Sequence, residues 1–114
     1  MEGGYVQGAG WLTTEELVWN TKGKLLTHAP STYKIPAIGD RPDVFNVALW
    51  NAPNSEQTIY RSKAVGEPPL MLGISVLMAL SDALLSCGKS YPALDAPATA
   101  EQILMSLERM RHGV

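Results

Sequence analysis

Apolar side chains recur at Tyr5, Val6, Ala9 and Leu12 along residues 2–16, which is helical spacing. Gly3, Gly4, Gly8 and Gly10 work against a free helix, each by up to about 1 kcal/mol relative to alanine. Two explanations stay open: the segment is simply flexible, or another backbone or a ligand approaches it closely. Leu17-Val18-Trp19 and Lys24-Leu25-Leu26-Thr27 then flank the polar stretch Asn20-Thr21-Lys22-Gly23. This predicts a β-hairpin with Gly23 at a positive-φ position. Residues 28–42 hold Pro30, Pro36 and Pro42 and predict an extended loop. Val44 to Trp50 alternates as a strand does, and Thr58 to Lys63 reads as another.

A Gly-Glu-Pro-Pro turn at 66–69 precedes a helix predicted over 69–87, with Gly88 as its stop. Its apolar positions, from Leu70 through Leu85, cover nearly the whole circumference, which predicts a buried helix. A chain of 114 residues has little else to wrap around such a helix. Either a small domain surrounds one central helix, or an apolar patch is left for a partner or a second copy. A last helix begins after Thr99, whose hydroxyl can cap it, with Gln102 placed to complete a capping box. Ile103, Leu104, Leu107 and Met110 form its inward stripe, and Arg109, Arg111 and His112 suit the negative end of its dipole. The order helix, hairpin, strands, helix, helix predicts an α+β class.

Composition narrows the function classes. The length allows one modest domain. Nine basic against eleven acidic residues leave a net charge of −2, with no basic run and no interleaving with aromatics. That argues against nucleic acid and against an anionic membrane surface. Cys87 is the lone cysteine, so no internal disulfide can form and a reducing cytoplasm is expected. The first residues have neither a positive head nor an apolar run, unlike a secretory signal. Gly73, Ser75, Ser81 and Asp82 interrupt the longest apolar stretch and argue against a membrane span. His28, His112 and Cys87 are not at metal-ligand spacing, and there is neither a P-loop nor a dinucleotide fingerprint.

Glu67 stands out among the titratable residues. Pro68 disfavours helical geometry at Glu67, Gly66 allows a bend or a close approach, and Pro69 suits the first turn of a helix. A carboxylate on a stiff corner is what a general base requires. Spacing alone favours the plainer reading, a glutamate well placed at a helix start.

The surrounding motifs add more. Ser62-Lys63-Ala64-Val65-Gly66-Glu67-Pro68-Pro69-Leu70 resembles the glutamate motif of the xanthine dehydrogenase family of molybdenum hydroxylases. Glu2-Gly3-Gly4-Tyr5-Val6-Gln7-Gly8 resembles that family's cofactor-side helix, with Thr14-Glu15-Glu16-Leu17 as its continuation. Pro30-Ser31-Thr32-Tyr33-Lys34-Ile35-Pro36 resembles a third signature, and Asp95-Ala96-Pro97-Ala98-Thr99 is similar to the closing segment of bacterial members. The motifs run from end to end in family order. The resemblance implies that residues 1–114 are the C-terminal part of a molybdenum cofactor-binding domain.

The resemblance also implies a chemistry. Molybdenum is held by the dithiolene of a molybdopterin, so no metal ligands are expected from this chain. The glutamate matching Glu67 takes a proton from a hydroxyl on the molybdenum, whose oxygen then attacks an electron-poor carbon of a purine. Val65 and Gly66 match the backbone lying against the cofactor. Electrons leave through iron–sulfur clusters and FAD to NAD, all on parts of the family upstream of this segment. The cofactor glutamine, the substrate-binding glutamate and arginine, and the aromatic residues that sandwich the purine lie upstream as well. The chain alone is therefore expected to bind no cofactor and to be inactive. Its expected partners are the remaining molybdenum-subunit polypeptide, the iron–sulfur and flavin parts, a purine, and through the apolar helix a second copy. Gln7 matches the family without an assigned role. Aldehyde oxidases are a weaker match, because they differ where Pro68-Pro69 stand. Two other readings carry no catalysis: an interaction module that keeps the family fold, or a structural remnant.

Overall fold

Close backbone approach decides how the helices of this protein meet. A computed structural model describes residues 1–65 and 67–112. Helix α1 (Glu2–Thr13) lies against α2 (Glu67–Leu72) and α3 (Ile74–Leu85), and α4 (Ala100–His112) packs on the far end of α3. A Cβ built on Gly8 would overlap the Leu70 carbonyl oxygen, and one on Gly73 would stand 2.7 Å from the Gly8 carbonyl carbon. Of the two explanations for the glycines of α1, close approach therefore holds at Gly8. It holds at Gly10 as well, where a Cβ would meet the Pro36 ring at 2.6 Å.

The buried helix predicted over 69–87 is corrected in three respects. Helix α2 starts at Glu67 itself, so that both prolines fall in its first turn, where a missing N–H has no intrahelical partner to lose. The path tightens at Gly73, whose N–H donates to Leu70 O (3.1 Å) while its carbonyl accepts from Val76 N (3.0 Å). These are i to i+3 bonds. Finally, the helix is not buried: Met71, Leu72, Ile74, Met78 and Leu85 are exposed, and Leu84 is the one buried side chain of α3. By length and composition the path from Glu67 to Leu85 is sufficient to cross a membrane.

The expected α+β class is also corrected, because among the described residues no strand forms. Residues 17–27 do make a reversed turn. Gly23 has φ +75°, Asn20 Oδ1 accepts from the N–H groups of Lys22 and Lys24 (2.9 Å each), and Leu26 N donates to Val18 O (2.8 Å). Pairing stops at a single antiparallel bridge, Trp19 to Leu25. A two-stranded ribbon without a third strand or a covering helix is marginal in water, and Leu17, Trp19 and Leu26 are all exposed. The strand expected at 44–50 does not form: the segment is irregular and unpaired, with Val44, Leu49 and Trp50 exposed. The one expected at 58–63 is instead a 3-10 turn, Ile59–Arg61, with Tyr60 and Arg61 at φ 51° and 55°.

The last helix forms where expected, but its predicted inward stripe is corrected at Leu104, which is exposed. Thr99 Oγ1 accepts from Gln102 N (3.3 Å) and caps α4. Its inward face centres on Ser106, which is fully buried and donates to Pro92 O. Ala98, also buried, donates its N–H to Leu12 O (2.7 Å) and ties the start of α4 to the end of α1.

Buried apolar side chains are few, and the surface shows it. The accessible area is 9020 Å², whereas a monomer of 12.3 kDa ordinarily shows about 6,100 Å². The radius of gyration is 17.9 Å, against about 13 Å for a domain of this length.

Candidate cofactor-facing corner

The glutamate motif stands at the edge where α1 and α2 meet. Glu67 opens α2 and is exposed, and Val65, two residues before it, is 67% exposed. Gly66, which the motif also singles out, lies outside the described residues. Two residues into α2, Pro69 joins Leu72, Met1, Glu2, Tyr5, Phe45 and Val47 around an apolar cleft of about 210 Å³. The Tyr5 and Phe45 rings sit 5.6 Å apart, centre to centre, tilted by 34°. This is a favourable spacing for aromatic pairs, and it draws residues 45–47 back to the start of α1.

Two of the motif segments far apart in sequence touch at the other end of α1. The Tyr33 hydroxyl donates to Glu15 Oε2 (3.1 Å), and the Thr14 hydroxyl donates to Lys34 O (2.9 Å). Glu15 is 7% exposed, a buried carboxylate. Partial burial, then the hydrogen bond to Glu15, then its negative charge push the Tyr33 hydroxyl above its ordinary pKa. A larger cavity of about 300 Å³, lined by Val6, Gly10, Thr13, Pro36, Asp40 and Val76 among others, lies beside these contacts.

Sequence reasoning pointed to this corner through the motif around Glu67. It missed Gly73, read there only as an interruption of an apolar run, and it missed the burial of Glu15. No local signal marks either, because each acquires its role from a segment many residues away. Gln7 is exposed on α1. His28, His112 and Cys87 lie apart from the corner in the chain, and among the described residues no three His, Cys, Asp or Glu side chains gather as a ligand set.

Comparison with known proteins identifies the family. Residues 1–42 match the family model of the molybdopterin cofactor-binding domain. The chain is 50% identical over 109 residues to the xanthine dehydrogenase/oxidase of Gallus gallus, an alignment that takes in 90% of this chain and 8% of that protein. It is 43% identical over 114 residues to the xanthine dehydrogenase of Emericella nidulans, covering 93% of this chain and 8% of the relative. With the xanthine dehydrogenase of Drosophila subobscura it shares 36% identity over 113 residues, 95% of this chain and again 8% of the relative. The chain thus spans about 8% of the length of these relatives. Matched from its first helix to its last at this level of identity, and carrying the glutamate and glycine motifs in order, the chain belongs to the xanthine dehydrogenase family.

Proposed function

We propose that this segment contributes the general base, Glu67, to a xanthine dehydrogenase-like oxidoreductase that hydroxylates purines. The observation that carries the reading is the exposed carboxylate at the first position of α2, beside an open apolar cleft and on a helix seated backbone to backbone against α1. Such an edge is one wall of a site that other polypeptide completes. When bound, the molybdenum cofactor supplies the centre that accepts electrons as a ring carbon of the purine is oxidised. Val65, Gly66 and Glu67 would face it. An open carboxylate fits a metal carried by its own organic ligand.

The work of this chain is to hold and use one proton acceptor. A Glu67 oxygen accepts a proton from the attacking oxygen. Its value depends on staying within hydrogen-bond reach, since a misplaced base loses most of its advantage. The Gly8–Gly73 crossing supplies that fixity, because backbones in direct contact leave no gap into which the helices can relax. Pro68 and Pro69 stiffen the first turn.

The partners under this reading are the remaining molybdenum-subunit polypeptide and the iron–sulfur and flavin parts, with NAD as the final acceptor and the cytoplasm as the compartment. The apolar surface of α2 and α3 is then covered by protein rather than lipid. The test is complementation. Added to a cofactor-loaded molybdenum subunit truncated before this segment, the chain should restore xanthine oxidation. Glu67→Gln should lower the restored rate by about a hundred- to ten-thousand-fold while leaving association intact. Full restoration by Glu67→Gln would overturn the assignment.

A non-catalytic interaction module is the second reading, favoured by the exposed apolar face of α2 and α3. It calls for association with the same truncated subunit, no gain of activity, and indifference to Glu67.

A further inference from the structure

Helix α1 is held from two sides. Gly8 and Gly10 are two residues apart and so project about 200° from one another around the helix. On the Gly8 side the backbone meets Leu70 and Gly73, at the junction of α2 and α3. On the Gly10 side a Cβ would stand 2.6 Å from the Pro36 ring and 3.2 Å from Glu15 Oε1. The loop that carries Pro36 is fastened there by two hydrogen bonds, Tyr33 Oη to Glu15 Oε2 at 3.1 Å and Thr14 Oγ1 to Lys34 O at 2.9 Å. Pro36 and Val76 also line one cavity, so this loop reaches around α1 toward α3.

Nothing in the proposed chemistry uses Glu15, yet it is a carboxylate that gives up water to sit here. Burying a charge is costly unless it is well partnered, and the partner is a tyrosine from the loop rather than a cation. We propose that Glu15 is a positioning residue for the Glu67 corner: its hydrogen bond with Tyr33 closes the loop on α1, and α1 in turn fixes α2 through the Gly8 contact. Loss of the bond releases the Gly10 side. The helix then drifts away from Gly73, and the first turn of α2, which begins with Glu67, loosens with it. This assignment matters for catalysis only if Glu67 is the base, but the coupling itself does not depend on that.

Hydrogen exchange of the intact chain, followed by mass spectrometry, tests the coupling without any turnover. Tyr33→Phe and Glu15→Ala should speed exchange of the amides in 67–76 at least threefold, while α4 keeps the protection of the parent chain. Glu15→Gln retains an acceptor oxygen and should return 67–76 to within twofold of the parent. If 29–36 opens while 67–76 stays at the parent rate, the bond is a local staple and the proposal fails. Loss of α4 protection in Tyr33→Phe also overturns it, because the pair would then hold the whole fold. The same holds if Glu15→Gln exchanges like Glu15→Ala. A Glu67→Gln chain should behave as the parent here, so failure of the base assignment leaves this result untouched.

Discussion

Gly8 and Gly73 meet with their backbones in contact: a Cβ on Gly73 would stand 2.8 Å from the Gly8 Cα and 2.9 Å from the Ala9 nitrogen. Since the obstructing atoms belong to backbone, neither side can yield by turning a side chain. Gly73 has φ −53° and ψ −22°, a helical geometry that alanine adopts readily. On helix propensity alone Gly73→Ala would gain about 1 kcal/mol, but overpacking costs typically about 1–3 kcal/mol and more against a rigid wall. The clash should win. Urea denaturation followed by circular dichroism should show Gly73→Ala and Gly8→Ala to be less stable than the parent. Gly3→Ala, with open space around its Cβ, should be as stable or better. A stabilised Gly73→Ala would mean that the helices do not cross here.

The Tyr33 hydroxyl is expected to ionise above the ordinary tyrosine value of 10.0, for want of water and beside the Glu15 carboxylate. Its folded pKa is raised, so its contribution to stability is complete below pH 10 and declines as pH rises through the folded value. Absorbance titration near 295 nm should therefore lose its highest-pH component in Tyr33→Phe. The alkaline fall in stability should flatten in the same variant. An unchanged titration curve would place Tyr33 in water.

Ser106 is buried under the 92–93 segment and satisfies the Pro92 carbonyl. Ser106→Ala leaves that carbonyl without its donor and should cost about 1–3 kcal/mol. Exchange or thermal unfolding of α4 reads the loss. By comparison, Glu108 faces Arg111 and His112 in exposed pairs at 3.6 and 3.2 Å, and Glu108→Ala should change stability by less than about 1 kcal/mol. Equal effects from the two substitutions would show that Ser106 is not a buried anchor.

The isolated chain should behave as a protein with an uncovered side. Leu72, Met71 and Met78 of α2 and α3 stand exposed, as do Ile59 and Tyr60 elsewhere in the chain. It should bind an apolar dye such as ANS and elute from size exclusion as more than a monomer of 12.3 kDa. The double variant Leu72→Glu, Met78→Lys should weaken both without loss of helicity. A clean, dye-free monomer by light scattering would count against the apolar face as an interface.

Features set by neighbouring residues were legible in the sequence. Gly23 takes the positive φ that the polar stretch required, Thr99 caps α4, and the apolar recurrence at Tyr5, Val6 and Ala9 does mark α1. The start of α2 at Glu67 was legible in part, because the two prolines that follow it suit a first turn. The helical geometry of Glu67 itself was not, since the preference of a residue before proline is a tendency that the following turn overrode.

What tertiary structure alone decided are the properties that need a second segment. Alternation at 44–50 is compatible with a strand, but a ladder needs a partner, and the chain supplies none at that place. An apolar helix reads as buried, but burial needs cover, and here the far side of α2 and α3 faces outward. Gly73 and Glu15 differ from other glycines and glutamates only through Gly8 and Tyr33, which approach from 65 and 18 positions away along the chain. Local sequence determines torsion preferences and caps within a few residues. Which backbone lies against which is settled only when the whole chain, and whatever covers it, has closed.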